Sequence, residues 1–218
     1  MNKPENNILF WSGGKDSCLA LHDMIMSRKI KPILLTTFDQ NTNILPFQGI
    51  NIGLIKKQAE ALGLELIAVP LPKNCTNNEY SRILKEHLST YTNLHLFFGD
   101  IFIEDIRRFR EEVFIDIAQE LHFPIWNSDT ELLSKKFIDL GYKAVISGID
   151  ISKLDPQNLG VNYDEKFISS LNQDLDKCGE NGEFHTFVFD GPLFKKKIKF
   201  FESKTELLFD RYIMLIFE

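Results

Sequence analysis

Ser12-Gly13-Gly14-Lys15-Asp16-Ser17 follows directly on the apolar run Ile8-Leu9-Phe10-Trp11 and directly precedes a helical pattern. These residue types at this spacing suit an anion. Two glycines let the backbone approach closely, and the following helix points free N–H groups and its positive dipole end at the same place. Ser12 and Ser17 add hydroxyls, and Lys15 adds a mobile cation. The dipole alone contributes only roughly 0.3–1 kcal/mol at an exposed site. A charge pair about 4 Å apart contributes on the order of 4 kcal/mol at an effective dielectric near 20, so Lys15, with any bound Mg2+, should dominate. Lys15 is expected to project into an open phosphate site. Asp16 reads two ways, as an N-terminal helix cap or as a Mg2+ ligand acting through water.

A second cluster lies near the other end of the chain. Gly179-Glu180-Asn181-Gly182-Glu183-Phe184-His185-Thr186 places two acids around an Asn-Gly pair just ahead of an apolar strand pattern. Such a loop presents carboxylates from a tight turn. A polar hairpin turn without chemistry is the competing reading. His185 adds a group that titrates near neutrality, although a strand histidine bonded to a neighbour is equally compatible with its position.

The elements that must position these clusters alternate between strand and helix. Apolar runs predict strands at 8–11, 33–38, 66–69, 94–98 and 144–147, and helical periodicity predicts helices over 52–62, 79–91 and 104–121. Gly63 stands where a helix C-cap belongs. This order implies an α/β fold with a parallel, Rossmann-like sheet and a ligand cleft beyond the strand C-termini. Ser12 to Ser17, then Thr37, Phe38 and Asp39, then Gly99 and Asp100 all fall at strand ends and should meet there. After about residue 127 the pattern changes to a loop over 149–163, a helix over 166–175 and strands at 186–189, 198–201 and 212–217. A larger nucleotide-binding domain over 1–127 and a smaller α+β domain over 128–218 are expected, without a flexible linker.

Composition narrows the functional classes. The chain has 218 residues, and 44% hydrophobic with 26% charged residues is ordinary for a globular protein. No apolar run approaches the roughly 20 residues of a membrane helix. The polar start Met1 to Asn7 has no secretory character, so a cytoplasmic protein without membrane partners is expected. Cys18, Cys75 and Cys178 include no Cys-x-x-Cys pair, which argues against disulfide, zinc-knuckle or iron–sulfur sites. A net charge of −6 argues against a nucleic-acid partner. The basic run Lys195-Lys196-Lys197 with Lys199 reads as a solvated strand edge.

The loop lacks Walker A spacing and the Gly-x-Gly-x-x-Gly fingerprint. It instead resembles the PP-loop of the ATP pyrophosphatases, whose members cleave ATP between the α and β phosphates. With the acidic motif, the chain resembles the diphthine–ammonia ligase family of PP-loop enzymes. That likeness extends through Gln58-Ala59, Gly99-Asp100-Ile101, Pro124-Ile125-Trp126 and Gly191-Pro192-Leu193-Phe194. It implies a cytoplasmic ligase that uses ATP and Mg2+ to adenylate a carboxylate, on a small molecule or a modified protein side chain, for attack by ammonia or an amine. On this chain Ser12, Gly13, Gly14, Lys15, Asp16 and Ser17 would hold the phosphates, with Thr37, Phe38, Asp39, Gly99 and Asp100 near the nucleotide. Lys15, Glu180 and Glu183 would be catalytic, and Gly179, Glu180, Asn181, Gly182, Glu183, His185 and Thr186 would bind substrate.

Gln48 replaces a histidine common among archaeal and eukaryotic relatives, and Leu159-Gly160-Val161 lacks an arginine that often follows the Leu-Gly pair. The Asn181 form of the motif resembles the bacterial branch, where the carboxylate would differ from diphthine. A PP-loop enzyme modifying transfer RNA and a non-catalytic ATP-binding module are the alternatives. A homo-oligomer stays open.

Overall fold

The computed structural model describes residues 5–218, so the first four residues of the polar N-terminal segment lie outside it. Five parallel strands form the first sheet in the order β3-β2-β1-β4-β5: β1 Asn6–Phe10, β2 Ile33–Asp39, β3 Leu66–Leu71, β4 Leu94–Phe97 and β5 Glu120–His122. Ile8 pairs with Ile33 on one side and Leu96 on the other. The central runs are near-continuously apolar because both faces are covered. Leu9, Leu34 and Phe97 face one core while Ile8, Leu35 and Leu96 face the other.

Helices α1 Lys15–His22, α2 Ile52–Leu62, α3 Asn77–Leu88 and α4 Glu104–Phe114 connect these strands. The ends of α2 and α3 follow from local chemistry. The Asn51 side chain accepts the Gly53 N–H at the start of α2, and Gly63, at φ 68°, closes it. Thr76 and Glu79 form a reciprocal capping box at the start of α3.

The second sheet is antiparallel, in the order β7-β6-β9-β8, with β6 Lys143–Asp150, β7 Phe184–Asp190, β8 Glu202–Leu208 and β9 Tyr212–Phe217. Helices α5 Thr130–Asp139 and α6 Glu165–Ser170 precede β6 and β7 respectively. One hydrophobic core joins the sheets, since Leu9, Trp11 and Ile55 belong to the same cluster as Phe187, Val188 and Phe217. Among the described residues no helix is long and apolar enough to cross a membrane.

Several expectations are corrected. The helix expected over 104–121 stops at Phe114, and its last residues turn to give β5, an edge strand paired through His95↔Glu120 and Phe97↔His122. Pairing with β4 overrides local helical preference there. The strand expected at 144–147 belongs to the second sheet rather than the parallel one. Its nearly unbroken burial would suit the centre of either sheet, and its partners β7 and β9 decide. Helix α5 was not anticipated, and α6 is shorter than the expected 166–175. Residues 198–201 form no strand: Ile198 and the half-buried Phe200 pack into the core from an irregular connection. The lysine run is likewise no strand edge. The Lys195 N–H donates to Ala61 O at 2.8 Å, and Lys196 Nζ lies 2.7 Å from Glu60 Oε1, so the run sits against the end of α2.

Candidate functional site

The turn between β1 and α1 is held from several directions. Gly13, at φ 78°, has no room for a side chain: a Cβ would lie 2.6 Å from Ile55 Cδ1. Its carbonyl accepts the Val188 N–H at 2.9 Å and Gln58 Nε2–H at 3.1 Å. Gln58 is fully buried, donates also to Val188 O at 2.6 Å and accepts Trp11 Nε1–H at 2.8 Å. Thus one amide on α2 fixes the loop to both sheets. Gly14, not Asp16, is the N-cap of α1 and makes no side-chain cap bond. The capping reading of Asp16 is therefore replaced by a tertiary cap, in which Thr186 Oγ1 accepts the Lys15 N–H at 3.0 Å. Ser12 Oγ accepts the Gly14 N–H at 3.2 Å and lies 3.2 Å from Ser17 Oγ, which donates to Gly14 O at 3.0 Å.

Lys15 does not stand free in an open site. Only 2% exposed, its ammonium donates to Asp16 Oδ1 and Oδ2 at 3.0 and 2.8 Å and to the Cys178 carbonyl, beneath the rings of Tyr163 and Phe184. Burial pushes its pKa down, but Asp16 and the neighbouring groups more than reverse this and hold it above the ordinary 10.5. Lys15 is thus charged and already matched. Cys18, one turn along α1, is fully buried, and burial pushes its thiol pKa up, which fits a packing role.

The acidic loop faces this turn. Asp176 Oδ1 shapes it by accepting the Cys178 and Glu180 N–H groups at 2.8 and 3.2 Å, and Gly179 and Gly182 adopt φ 70° and 79°. Glu180 Oε1 accepts the N–H groups of Ile101 at 2.8 Å and Phe102 at 3.4 Å, just beyond β4. Burial drives its pKa up to about 7, partly offset by the Ile101 N–H. Glu183 is only 2% exposed and is placed off the cavity wall. Its Oε1 lies 3.7 Å from Lys153 Nζ, and its Oε2 has no hydrogen-bond partner among the described residues. Asn181 is exposed, and its carbonyl accepts from Lys153 at 3.0 Å. His185 Nδ1 lies 3.4 Å from Gln48 Nε2. Burial first, and Lys15 second, push its pKa down to about 4, so it is neutral where the sequence suggested titration near pH 7.

These walls enclose a cavity of about 580 Å³, within the range of small-ligand sites. Ser12, Gly14, Lys15, Asp16 and Ser17 meet Thr37, Gly99 and Asp100 there, and Gly179, Glu180, Gly182, His185 and Thr186 close the other side. At Gly99 the chain leaving β4 passes α1, and a Cβ there would lie 2.9 Å from Ser17 N. Gly13, Phe38, Asp39 and Asn181 are not on the wall. Phe38 packs against the core, and Asp39 Oδ1 closes its own turn by accepting the Asn41 and Thr42 N–H groups at 2.8 and 2.9 Å.

Sequence reasoning missed Arg110, on α4. Its guanidinium lies 5.6 and 5.1 Å from the rings of Phe10 and Phe98, and its Nε is 3.5 Å from Asp100 Oδ2. Both of these atoms are buried without a hydrogen-bond partner among the described residues. Phe10, Phe98 and Tyr80 give this end an aromatic lining. Nothing in the repetitive Arg-Arg-Phe-Arg pattern marks Arg110 apart from its neighbours. A glycine turn at a helix start, an aromatic end and a polar pair with spare bonding capacity fit an adenine nucleotide.

The family model of the diphthamide synthase N-terminal domain matches residues 5–117, and that of the diphthamide synthase C-terminal domain matches residues 129–217. Similar curated proteins include the diphthine–ammonia ligases of Homo sapiens, 26% identical over 216 residues, and Danio rerio, 26% identical over 212 residues. Each alignment covers 86% of this chain, and 79% and 83% of the respective relatives. That of Bos taurus is 25% identical over 215 residues, covering 86% of this chain and 79% of the relative.

Proposed function

The chain belongs to the diphthamide synthase family, and from that premise we propose that it is an ATP-dependent ligase joining ammonia or an amine to a substrate carboxylate. ATP would supply the activation: the carboxylate takes the adenylyl group, pyrophosphate leaves, and the amine then displaces AMP. The observation that best supports this reading is the meeting of the glycine turn and Glu180 across a single cavity.

Ser12, Gly14, Lys15 and Ser17 would position the phosphates and stabilise charge that develops there. Asp100 and Arg110 would contact the nucleotide from the aromatic end. Asp16 neutralises Lys15 in the structure, and it is also the residue we assign to Mg2+, through water. Glu180 would take a proton from the attacking amine, because its pKa of about 7 keeps it available as a base near neutrality. Glu183 would act from behind the wall by holding the loop. The curated relatives are named diphthine–ammonia ligases, so a diphthine-bearing protein is the first substrate to try. Residues 1–127 and 128–218 would supply the nucleotide and acceptor sides respectively.

The test uses Mg-ATP, ammonium and a diphthine-bearing protein with oxygen-18 in the diphthine carboxylate. Amide formation should release pyrophosphate and AMP carrying the label. ADP as product, or unlabelled AMP after completed amidation, would overturn the mechanism. ATP binding without turnover on any carboxylate tried would favour the non-catalytic module.

A further inference from the structure

Away from the cavity, three side chains converge on the face of the parallel sheet at its β4–β5 edge. His95 Nδ1 lies 3.3 Å from His122 Nε2, and Glu120 Oε2 lies 3.4 Å from His122 Nε2 and 3.9 Å from His95 Nδ1. None of the three residues lines the cavity. We propose that His95, Glu120 and His122 form a binding site for a divalent transition-metal ion of the zinc class.

The geometry carries this. Nitrogen and oxygen ligands sit about 2.0–2.2 Å from zinc, so adjacent ligands of a tetrahedral ion lie ~3.3–3.5 Å apart. Two of the three separations already fall at that spacing, and the third needs a shift of roughly 0.5 Å in a carboxylate whose side chain is 61% exposed. Two imidazoles and one carboxylate are a recognised zinc donor set that leaves a fourth position for water. The three residues are preset by the sheet. The register pairs His95 with Glu120 and Phe97 with His122, and the period of two in a strand puts all of them on one face. The Phe97 ring stacks on His122 at 4.4 Å and 19°, which fixes that imidazole.

Without metal, the two ring nitrogens stand at hydrogen-bond distance. To bind the ion, each imidazole presents this nitrogen's lone pair and carries its proton on the far nitrogen of its ring. The charge balance permits a cation: Arg28, whose charge reaches His122, is tied to Asp23 Oδ2 at 2.8 Å, and the charge of Glu5 reaches His122 as well. The ion would staple β5, the three-residue edge strand whose sequence reads as the end of a helix. Exposure of Glu120 gives the ion its path in.

The test titrates the EDTA-stripped protein with Co2+ as a spectroscopic probe and with Zn2+. One Co2+ per chain should give a tetrahedral d–d band that one equivalent of Zn2+ bleaches, and Zn2+ should raise the thermal midpoint. His95→Gln and His122→Gln should each lose the band and weaken Co2+ binding by at least the ~10–100-fold seen when metal-site support is disturbed. Asp16→Asn, in the cavity, should keep the band. Absence of both the band and the Zn2+ shift in the parent protein overturns the proposal, and this result needs no variant to fold. A band that survives both histidine substitutions also overturns it, by placing the ion elsewhere.

Discussion

The segments 12–17 and 178–186 face each other across one cavity but treat charge in opposite ways. On the first wall the Gly13 carbonyl, the Gly14 and Lys15 N–H groups and both serine hydroxyls have protein partners, and Lys15 is matched by Asp16. The second wall keeps a titratable group in reserve, with the Glu180 pKa raised to about 7 by burial, and behind it Glu183 Oε2 has no hydrogen-bond partner among the described residues. A wall whose groups are satisfied in advance is held in shape by its own network. A wall with a carboxyl poised near neutrality can exchange protons. Under the proposed function, the difference suits the N-terminal loop to positioning and the C-terminal one to proton transfer.

The largest expected effect breaks the first wall. Lys15→Met should lower turnover by about 10²–10³-fold, as for loss of one preorganised donor, and should cost about 3 kcal/mol because Asp16 loses its buried partner. Adding Asp16→Asn should restore most of the stability and none of the turnover. Urea unfolding beside AMP release separates the two, and a single variant as stable as the parent would show that the charges are not matched.

Glu180→Gln tests the second wall, with an expected loss of about 10²-fold in turnover and little change in ATP affinity. The pH profile sharpens it. A base with a pKa of about 7 makes the parent rate rise with pH through that value, and the variant should lose the rise. Stability has the opposite slope. Because folding raises this pKa from 4.5, the unfolded chain ionises first, so Glu180's contribution is fully present below about pH 4.5 and is lost as pH rises to about 7. Chemical denaturation across that window should show a flatter profile for Glu180→Gln.

Gly13→Ala should cost about 1–3 kcal/mol, the range for a side chain forced into a disfavoured backbone region, with the close approach to Ile55 adding to it. An unchanged thermal midpoint would mean that the first wall is softer than its bonding implies. Glu183→Gln should be mildest, leaving turnover within about threefold, or under ~0.7 kcal/mol of barrier. A much larger loss at saturating substrate would put Glu183 in contact with the chemistry.

Much of this site was legible in the sequence because its signals are local. The glycine turn, the two-glycine acidic loop and Gly63 each encode their own geometry, and α2 runs over the expected 52–62. What was illegible depends on distant partners. The direction of the Lys15 ammonium is set by the Cys178 carbonyl, 163 residues away, and the cap of α1 by Thr186, 171 residues away. Arg110 is one of several arginines on α4 until Asp100 and two phenylalanine rings single it out. Strand β5 exists because β4 offers it an edge.

Gln58 has a consequence for inheritance. Its amide ties Gly13 to Val188, and the core beneath joins Leu9, Trp11 and Ile55 to Phe187 and Phe217. A gene cut between the two sheets would yield fragments that each bare an apolar face and half of a buried hydrogen-bond set. Such halves should recombine with each other on co-expression and should resist being spliced onto foreign partners. The two parts of this chain are therefore expected to evolve as one cassette, with new specificity arising by substitution along the cavity rather than by exchange of either half.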